Sequence, residues 1–335
     1  MVTIKDVARD AGVAVGTVSK VLNGQYVKEA NRIRVEESVR KLNYEMNYYA
    51  RGMKMGNSST IAVIIPDVLN PFFSHWVYEL EKEISSRNYK MLLCQTDGDA
   101  EKEGLYFKMA SQNRVDGIIG ITYNDTDAYM SGDFPFVSLD RHFATTVCCV
   151  ASDNMEGGRI AARKLVEGGC SRLIYIRSGS NQSGETLKRW DGFEEGCRQL
   201  GYEAVQFDLG NEKNAGDGWQ VFRERIYEFL KNQMTDGKLS YDGIFVSTDV
   251  LARVVIEQLN RLGLDAPDDV QVIGYDGIKA YQADRYWVST IVQPIADMAR
   301  TAVEMLLLEI SGEEVPVMNI LPVTFAYGGT TKERT

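Results

Sequence analysis

From Ile61 onward the chain repeats one rhythm: a short, continuous apolar run, then a stretch with helical spacing. The runs fall at Ile61 to Pro66, Met91 to Gln95, Gly117 to Ile121, Phe136 to Leu139, Leu173 to Ile176, Ala204 to Asp208, Gly243 to Ser247 and Val270 to Tyr275. Helical spacing covers Phe72 to Arg87, Glu156 to Glu167, Leu187 to Leu200, Trp219 to Lys231 and Val250 to Leu262, and again Ala296 to Ile310 after Gln293-Pro294. Apolar strands alternating with helices predict parallel sheets covered on both faces. Eight strands over this length predict two such sheets, each the core of its own subdomain.

Residues 1 to 45 follow a different pattern, and Gly56-Asn57-Ser58-Ser59 marks the change. Thr3-Ile4-Lys5-Asp6 is a helix-start signal in which the Thr3 hydroxyl caps amides and Asp6 sits at the positive helix end. A first helix then buries Ile4, Val7 and Ala8. Gly12 supplies the turn, and a second short helix buries Val18, Val21 and Leu22. A small residue at Ala8, where the second helix crosses, completes a helix-turn-helix pattern. A third helix, Arg32 to Leu42 with Ile33, Val35 and Val39 inward, provides the remaining core.

Charge sharpens this division. The net charge of −10 over 335 residues argues against a polyanion partner. Residues 1 to 60, however, hold ten basic and six acidic side chains, against 27 basic and 41 acidic in the rest. A small basic module on a large acidic one is the arrangement expected when one part binds nucleic acid.

Other classes find little support. No signal-like apolar start and no run of about 18 apolar residues occurs, so a cytoplasmic chain with no membrane partner is expected. The five cysteines, Cys94, Cys148, Cys149, Cys170 and Cys197, lack CxxC spacing and read as buried free thiols. Gly179 to Thr186 has the glycine spacing of a phosphate loop, but Glu185 occupies the lysine position and would repel phosphate. With two histidines, His75 and His142, neither a histidine-rich metal site nor a serine triad is expected. The chain reads as a non-enzyme without cofactor or metal.

The run TIKDVARDAGVAVGTVSKVLNG, then RIRVEESVRKLNY, NYYARGMKMG and IAVIIPD, resembles the lactose-repressor (LacI/GalR) family of bacterial transcription regulators. The likeness continues through NPFF (70–73), SLDR (138–141), RWDGF (189–193), VIGYDGI (272–278) and STIVQP (289–294). It implies an α/β protein with an N-terminal three-helix helix-turn-helix domain (1–46) and a hinge helix and linker (47–60). A periplasmic-binding-protein-like sensor of two doubly wound parallel-sheet subdomains (61–335) follows, the first about 61–153 and 291–312, the second about 154–290 and 313–335. It also implies a homodimer on a pseudo-palindromic operator, with operator affinity set by an effector, a sugar or sugar phosphate, in the sensor cleft.

By that resemblance the second helix enters the major groove. Val15 and Gly16 stand where bases are read, and Val15 fits a thymine methyl. Thr17 lies near phosphate, and Lys20 reaches either guanine acceptors or phosphate. Thr3, Ser19, Asn23 and Arg51 complete the implied DNA contacts. Met53 takes the position of the hinge residue that wedges into the minor groove, and Gly52 weakens an isolated helix there by ~1 kcal/mol. The residues alone, without that resemblance, read as a plain linker. Ala14 stands where a capping serine is usual, and Lys28 and Asn31 where Ser and Thr are common.

In open α/β sheets ligands bind beyond the carboxyl ends of strands. The candidates there are Asn70, Phe72, Phe73, Arg141, Ser183, Arg189, Asp249 and Asp276, with Asp140 beside them. Arg189 and Asp276 match the family's ligand positions best, whereas Asp140 and Asp249 fit a structural ion pair better than direct contact. Thr248 stands where many relatives have Asn. The competing reading is an extracytoplasmic-type sugar-binding protein with no DNA function.

Overall fold

In the computed structural model the described residues are 2–22, 24–44, 58–109, 112, 115–122, 134–141, 147–179, 184–210, 219–281 and 284–333. The expectations for Asn23, Arg51, Met53, Ser183 and residues 47–57 of the hinge therefore fall outside them. The chain divides into two units, Met1–Ser58 and Ser59–Thr335.

The first unit holds α1 (Ile4–Ala11), α2 (Val15–Leu22) and α3 (Glu29–Lys41). At the start of α1 the Thr3 amide and hydroxyl both donate to the Asp6 carboxylate, at 3.0 and 2.6 Å. Gly12, left-handed at φ 62°, ends the helix with its amide turned back onto the Ala8 and Arg9 carbonyls. Such a φ suits a residue without Cβ, and the turn aims α2 across α1. Val7, Ala8, Ala11, Val18 and Val35 form the core, with Ile4, Val13, Val21, Leu22, Val39, Leu42 and Tyr44 packed around it.

Two features of α3 depart from expectation. It begins at Glu29 rather than Arg32, with Lys28 at its N-cap making no side-chain capping bond. Ile33 is 46% exposed. The inward stripe runs through Val35, Ser38, Val39 and Leu42, and position 33 is about 200° around the helix from 35. Ser38 is buried because its hydroxyl donates to the Asp10 carboxylate, which also receives the Lys41 ammonium at 2.6 Å. This polar tie joins α1 to α3 where an apolar contact was expected.

The second unit contains two six-stranded sheets. The first sheet has the order β13-β5-β4-β3-β1-β2, all parallel, from β1 (Thr60–Ile65), β2 (Lys90–Gln95), β3 (Gly117–Gly120), β4 (Phe136–Leu139), β5 (Cys148–Ser152) and β13 (Met318–Leu321). The second has the order β14-β12-β11-β10-β6-β7, from β6 (Leu173–Arg177), β7 (Ala204–Asp208), β10 (Gly243–Val246), β11 (Gln271–Asp276), β12 (Ser289–Val292) and β14 (Thr324–Ala326), with only β14 antiparallel. A small hairpin, β8 (Met234–Thr235) and β9 (Lys238–Leu239), stands apart.

The covering helices are α4 (Pro71–Ser86), α5 (Ala100–Met109), α6 (Asn154–Glu167), α7 (Lys188–Gln199), α8 (Trp219–Asn232), α9 (Asp249–Arg261) and α10 (Ile295–Ser311). One face of the first sheet buries Trp76, Leu80 and Ile84 of α4 with Met298, Ala302 and Leu306 of α10. The second sheet is packed on both faces, by α8 and α9 on one and by α6 and α7 on the other.

Strands β5, β12, β13 and β14 and helix α5 were not among the predicted elements, and two of those strands move the lobe boundaries. Ser289–Val292 pairs in the second sheet, so the return crossing lies after Val292 rather than at 290. Met318–Leu321 pairs with β5 in the first sheet, although residues 313–335 were expected in the second lobe. The chain thus crosses between lobes three times, after Ser152, after Val292 and between Leu321 and Thr324.

Candidate functional site

On α2, packing fixes what is left outside. Val18 is fully buried and Val21 and Leu22 pack on the core, so Val15, Gly16 and Lys20 are exposed, Val15 to 39%. A Cβ added at Gly16 would meet nothing within 4 Å, so the backbone itself is accessible there. Thr17 and Ser19 are half-buried beside this face, and Thr3 is exposed at the start of α1. An apolar Val15, a bare Gly16 and a cationic Lys20 on one exposed face suit methyl and phosphate or guanine contacts in a major groove.

In the second unit, backbone-to-backbone packing places the key cation. A Cβ on Gly158 of α6 would lie 2.3 Å from the Arg189 carbonyl oxygen, and one on Gly192 of α7 would lie 1.9 Å from the Met155 carbonyl oxygen. Only glycines allow this approach, and it sets Arg189 at the first turn of α7. Arg189 is 4% exposed. Its Nε donates to Asn154 Oδ1 at 2.7 Å and its Nη1 to the Ser247 carbonyl at 2.6 Å. The guanidinium lies 3.7 Å from the Tyr275 ring centre, with Nη1 3.8 Å from Asp276 Oδ1. Burial works against its charge, while Tyr275, Asp276 and Asp140 more than restore it and hold its pKa above the usual value.

Carboxyls crowd this one guanidinium. Asp276, at φ 125° and 3% exposed, accepts from Gln293 Nε2 at 2.8 Å. Burial pushes its pKa up to about 7 despite Arg189 and Gln293. Asp249 is fully buried, and burial followed by the charge of Asp276 raises it well above the carboxylate range. Both its oxygens are already engaged, one by the Ile278 amide and one by the Thr290 hydroxyl, each at 2.7 Å. Gly274 leaves the room for it, since a Cβ there would stand 2.2 Å from Asp249 Oδ1. Asp249, a candidate effector contact from sequence, instead fixes the chain's own loop. Thr248 caps α9 by accepting from the Leu251 amide at 3.2 Å.

From the first sheet comes Asp140, just past β4 at φ 54°. Its amide donates to the Val150 carbonyl and its carbonyl accepts from the Glu185 amide of the other lobe, at 3.0 and 3.1 Å. Burial raises its pKa as well. Glu185 is itself 5% exposed and accepts from Lys188 at 2.7 Å. Ser152 and Tyr275 bring their hydroxyls within 3.3 Å of each other across the lobes.

The remaining candidates divide. Asn70 caps α4 by accepting from the Phe72 amide at 3.0 Å. Phe72 and Phe73, candidate effector contacts from sequence, are 9% and 7% exposed and lie in the core cluster of the first sheet. Ile278 belongs to the same cluster, with Val250 and Trp287 of the second lobe against it, so apolar side chains of both lobes meet there. Arg141 is half-buried and its Nη1 lies 3.5 Å from the Thr122 carbonyl.

Sequence reasoning named Asp140 but missed three groups that share its situation. Thr122 Oγ1, Asp140 Oδ1, Ser247 Oγ and Gln293 Oε1 are buried and find no hydrogen-bond partner among the described residues. Each lies one or two residues past a strand end, Thr122 and Asp140 in the first sheet and Ser247 and Gln293 in the second. Buried polar atoms left without partners are costly, and all four stand at the carboxyl ends of strands, where open α/β sheets take their ligands. A cavity of about 330 Å³ opens to one side, lined by Tyr175, Arg177, Leu187, Trp190, Asp191 and Gln206. It includes none of these four groups. The five cysteines are free and buried, and burial lifts Cys94 to about 11, which makes a thiolate scarce.

A helix-turn-helix unit with an open recognition face, on the same chain as a two-lobed α/β unit with polar groups at its strand ends, defines a ligand-responsive DNA-binding regulator. Residues 3–47 match the family model of bacterial regulatory proteins of the lacI family, and residues 162–331 match that of the periplasmic binding protein-like domain. The chain is 33% identical to the sucrose operon repressor of Streptococcus mutans, covering 97% of this chain and 98% of that one. It is 32% identical to the ribose operon repressor of Bacillus subtilis, covering 99% of each. The fold matches that of the lac repressor dimer bound to operator and the anti-inducer ONPF, with a TM-score of 0.82 and 21% identity over 98% of each chain. A periplasmic binding protein/LacI transcriptional regulator from Alkaliphilus metalliredigens, complexed with D-xylulofuranose, matches 82% of this chain and all of that one, with a TM-score of 0.69 and 30% identity. The chain belongs to the LacI family and is a DNA-binding transcriptional regulator. No helix among the described residues is long and apolar enough to cross a membrane.

Proposed function

We propose that the protein is a cytoplasmic, homodimeric repressor of carbohydrate-related genes whose operator affinity is set by a small molecule bound at the strand-end cluster. It works as a binding protein, without catalysis or cofactor. The observation that carries this reading is the convergence of Thr122, Asp140, Ser247 and Gln293, from both lobes, beside Arg189 and Asp276. A ligand that satisfies them touches both lobes at once. Its binding energy therefore depends on how the lobes are set, which is the requirement for coupling to a second site. Relatives named for sucrose and ribose operons support a sugar as the effector.

On the DNA side, Val15 packs against a thymine methyl, Lys20 meets a phosphate or guanine, and Thr3, Thr17, Ser19, Asn23 and Arg51 hold the backbone. Met53 wedges into the minor groove between two half-sites related by the dimer axis. Met53→Ala is expected to weaken specific operator binding greatly at matched salt and to leave effector binding intact. Removing residues 1–60 separates this reading from a sugar-binding protein without a DNA role: the regulator loses operator binding in an anisotropy titration and keeps its ligand in calorimetry.

A further inference from the structure

The cavity in the second lobe takes no part in the strand-end cluster. Its base follows from strand periodicity: Tyr175 and Arg177 alternate onto one face of β6, and parallel pairing sets Gln206 and Asp208 of β7 beside them. Ala204, the first residue of this edge strand, packs into the core beneath α6 and α7, whereas Gln206 two residues on is exposed. The space left between β7 and the start of α7 is the cavity of about 330 Å³, a volume that small-molecule sites share. Helix α7 borders both places with different faces. Arg189 turns to Asn154, the Ser247 carbonyl and Tyr275, while Trp190 and Asp191, about 100° and 200° further around the helix, line the cavity.

The lining has an apolar part and a polar part. Tyr175 and Trp190 stack on each other, with ring centres 5.8 Å and planes 24° apart, and Leu187 joins them. Tyr175 and Arg177, 2% and 8% exposed, form the base, and Asp191 and Gln206 stand exposed at the mouth. The Arg177 guanidinium, held by Asp208 at 3.1 Å, is a donor, the Asp191 carboxylate is an acceptor, and the Gln206 amide is both.

We infer that this cavity is a second small-molecule site, separate from the strand-end cluster, and that it takes a neutral sugar ring. The aromatic and aliphatic side chains cover the C–H face of such a ring, and its hydroxyls donate to Asp191 and accept from Arg177 and Gln206. A planar base also joins an apolar face to hydrogen-bonding edges, but Tyr175 and Trp190 are already stacked together and leave no slot between them. The inference stands on the cavity alone and holds whether or not the cluster takes the effector.

The test uses the full chain labelled with 5-fluorotryptophan, in which Trp76, Trp190, Trp219 and Trp287 each give a fluorine signal. Trp190→Phe and Trp287→Phe assign the two signals that matter. Trp190 lines the cavity, whereas Trp287 packs against the core of the first lobe and reports on ligands that act between the lobes. Ribose, fructose, glucose, sucrose and adenosine are each titrated to about 50 mM, which covers millimolar affinities. One sugar is expected to shift the Trp190 signal saturably. Asp191→Ala, which removes the acceptor, and Gln206→Phe, which fills the mouth, are each expected to weaken that binding at least about tenfold. Both positions are exposed, so unchanged melting temperatures are expected for the two variants. A sugar that shifts Trp190 with the same affinity in parent and variants binds elsewhere and overturns the inference. A panel in which no sugar shifts Trp190 overturns it too, and so does one in which adenosine alone does.

Discussion

The recognition unit keeps its functional side chains exposed, whereas the sensor cluster keeps them buried. In the first, a core of five buried residues holds α2 so that Val15, Gly16 and Lys20 stay exposed. The functional side chains there carry little of the fold's stability. In the second, Arg189, Asp249 and Asp276 are each under 5% exposed and are held by glycine contacts, strand ends and each other. Function and stability are the same contacts there. Substitutions should therefore separate stability from activity in the first unit and fail to separate them in the second.

The sharpest break of that contrast is Arg189→Met. It leaves Asp276 and Asp140 without their cation and the Asn154 oxygen without its donor. Removing one partner of a buried ion pair costs about 3 to 5 kcal/mol, to be read as a lower urea midpoint together with lost ligand binding. A loss of binding at unchanged stability would show that the cluster is not structural. Gly192→Ala follows, because its Cβ would fall on the Met155 carbonyl. Forcing α6 and α7 apart is expected to cost about 1 to 3 kcal/mol and to weaken the ligand through Arg189 alone.

A smaller effect comes from pH. The folded-state pKa of Asp276, about 7, lies above its ordinary 3.8, so the protonated form favours the fold. This contribution is complete below about pH 4 and is lost as pH rises through about 7. Asp276→Asn is expected to flatten the fall in melting temperature between pH 5 and pH 8. An equal fall in both proteins would remove Asp276 as the cause. Lys20→Ala should move stability least, within about 0.5 kcal/mol. Its effect belongs to DNA, where loss of one phosphate contact lowers the salt slope by about 1, whereas loss of a guanine contact relaxes base preference at one position.

The same contrast explains what was legible in the sequence. The helix-turn-helix is a local object: Thr3, Gly12 and the spacing of Val7, Ala8, Val18 and Val21 suffice to place it. Its error, Ile33, lies about 200° around the helix from Val35, off the inward stripe that Ser38 joins through its bond to Asp10. The parallel sheets were legible at most strands that are continuous apolar runs, although β5, with Cys148, Cys149, Val150 and Ala151, was passed over. They were not at β13, a half-exposed edge strand of mixed polarity whose partner lies some 170 residues away in sequence. At the cluster, strand ends named Arg189, Asp249 and Asp276. Whether a carboxylate faces a ligand or its own loop depends on partners such as Ile278 and Thr290, brought near only by the fold. The same holds for Thr122, Ser247 and Gln293. Their residue types are ordinary, and the signal that could have found them is position alone, one or two residues past a predicted strand.

The central claim is that a ligand at the strand-end cluster sets operator affinity. The direct measurement is the operator dissociation constant at fixed salt, with and without a saturating neutral sugar that raises the melting temperature. A change of roughly 5- to 150-fold is expected, with the sugar's own affinity changed by the same factor when operator is bound. Identical operator affinity with the cluster occupied and empty would contradict it.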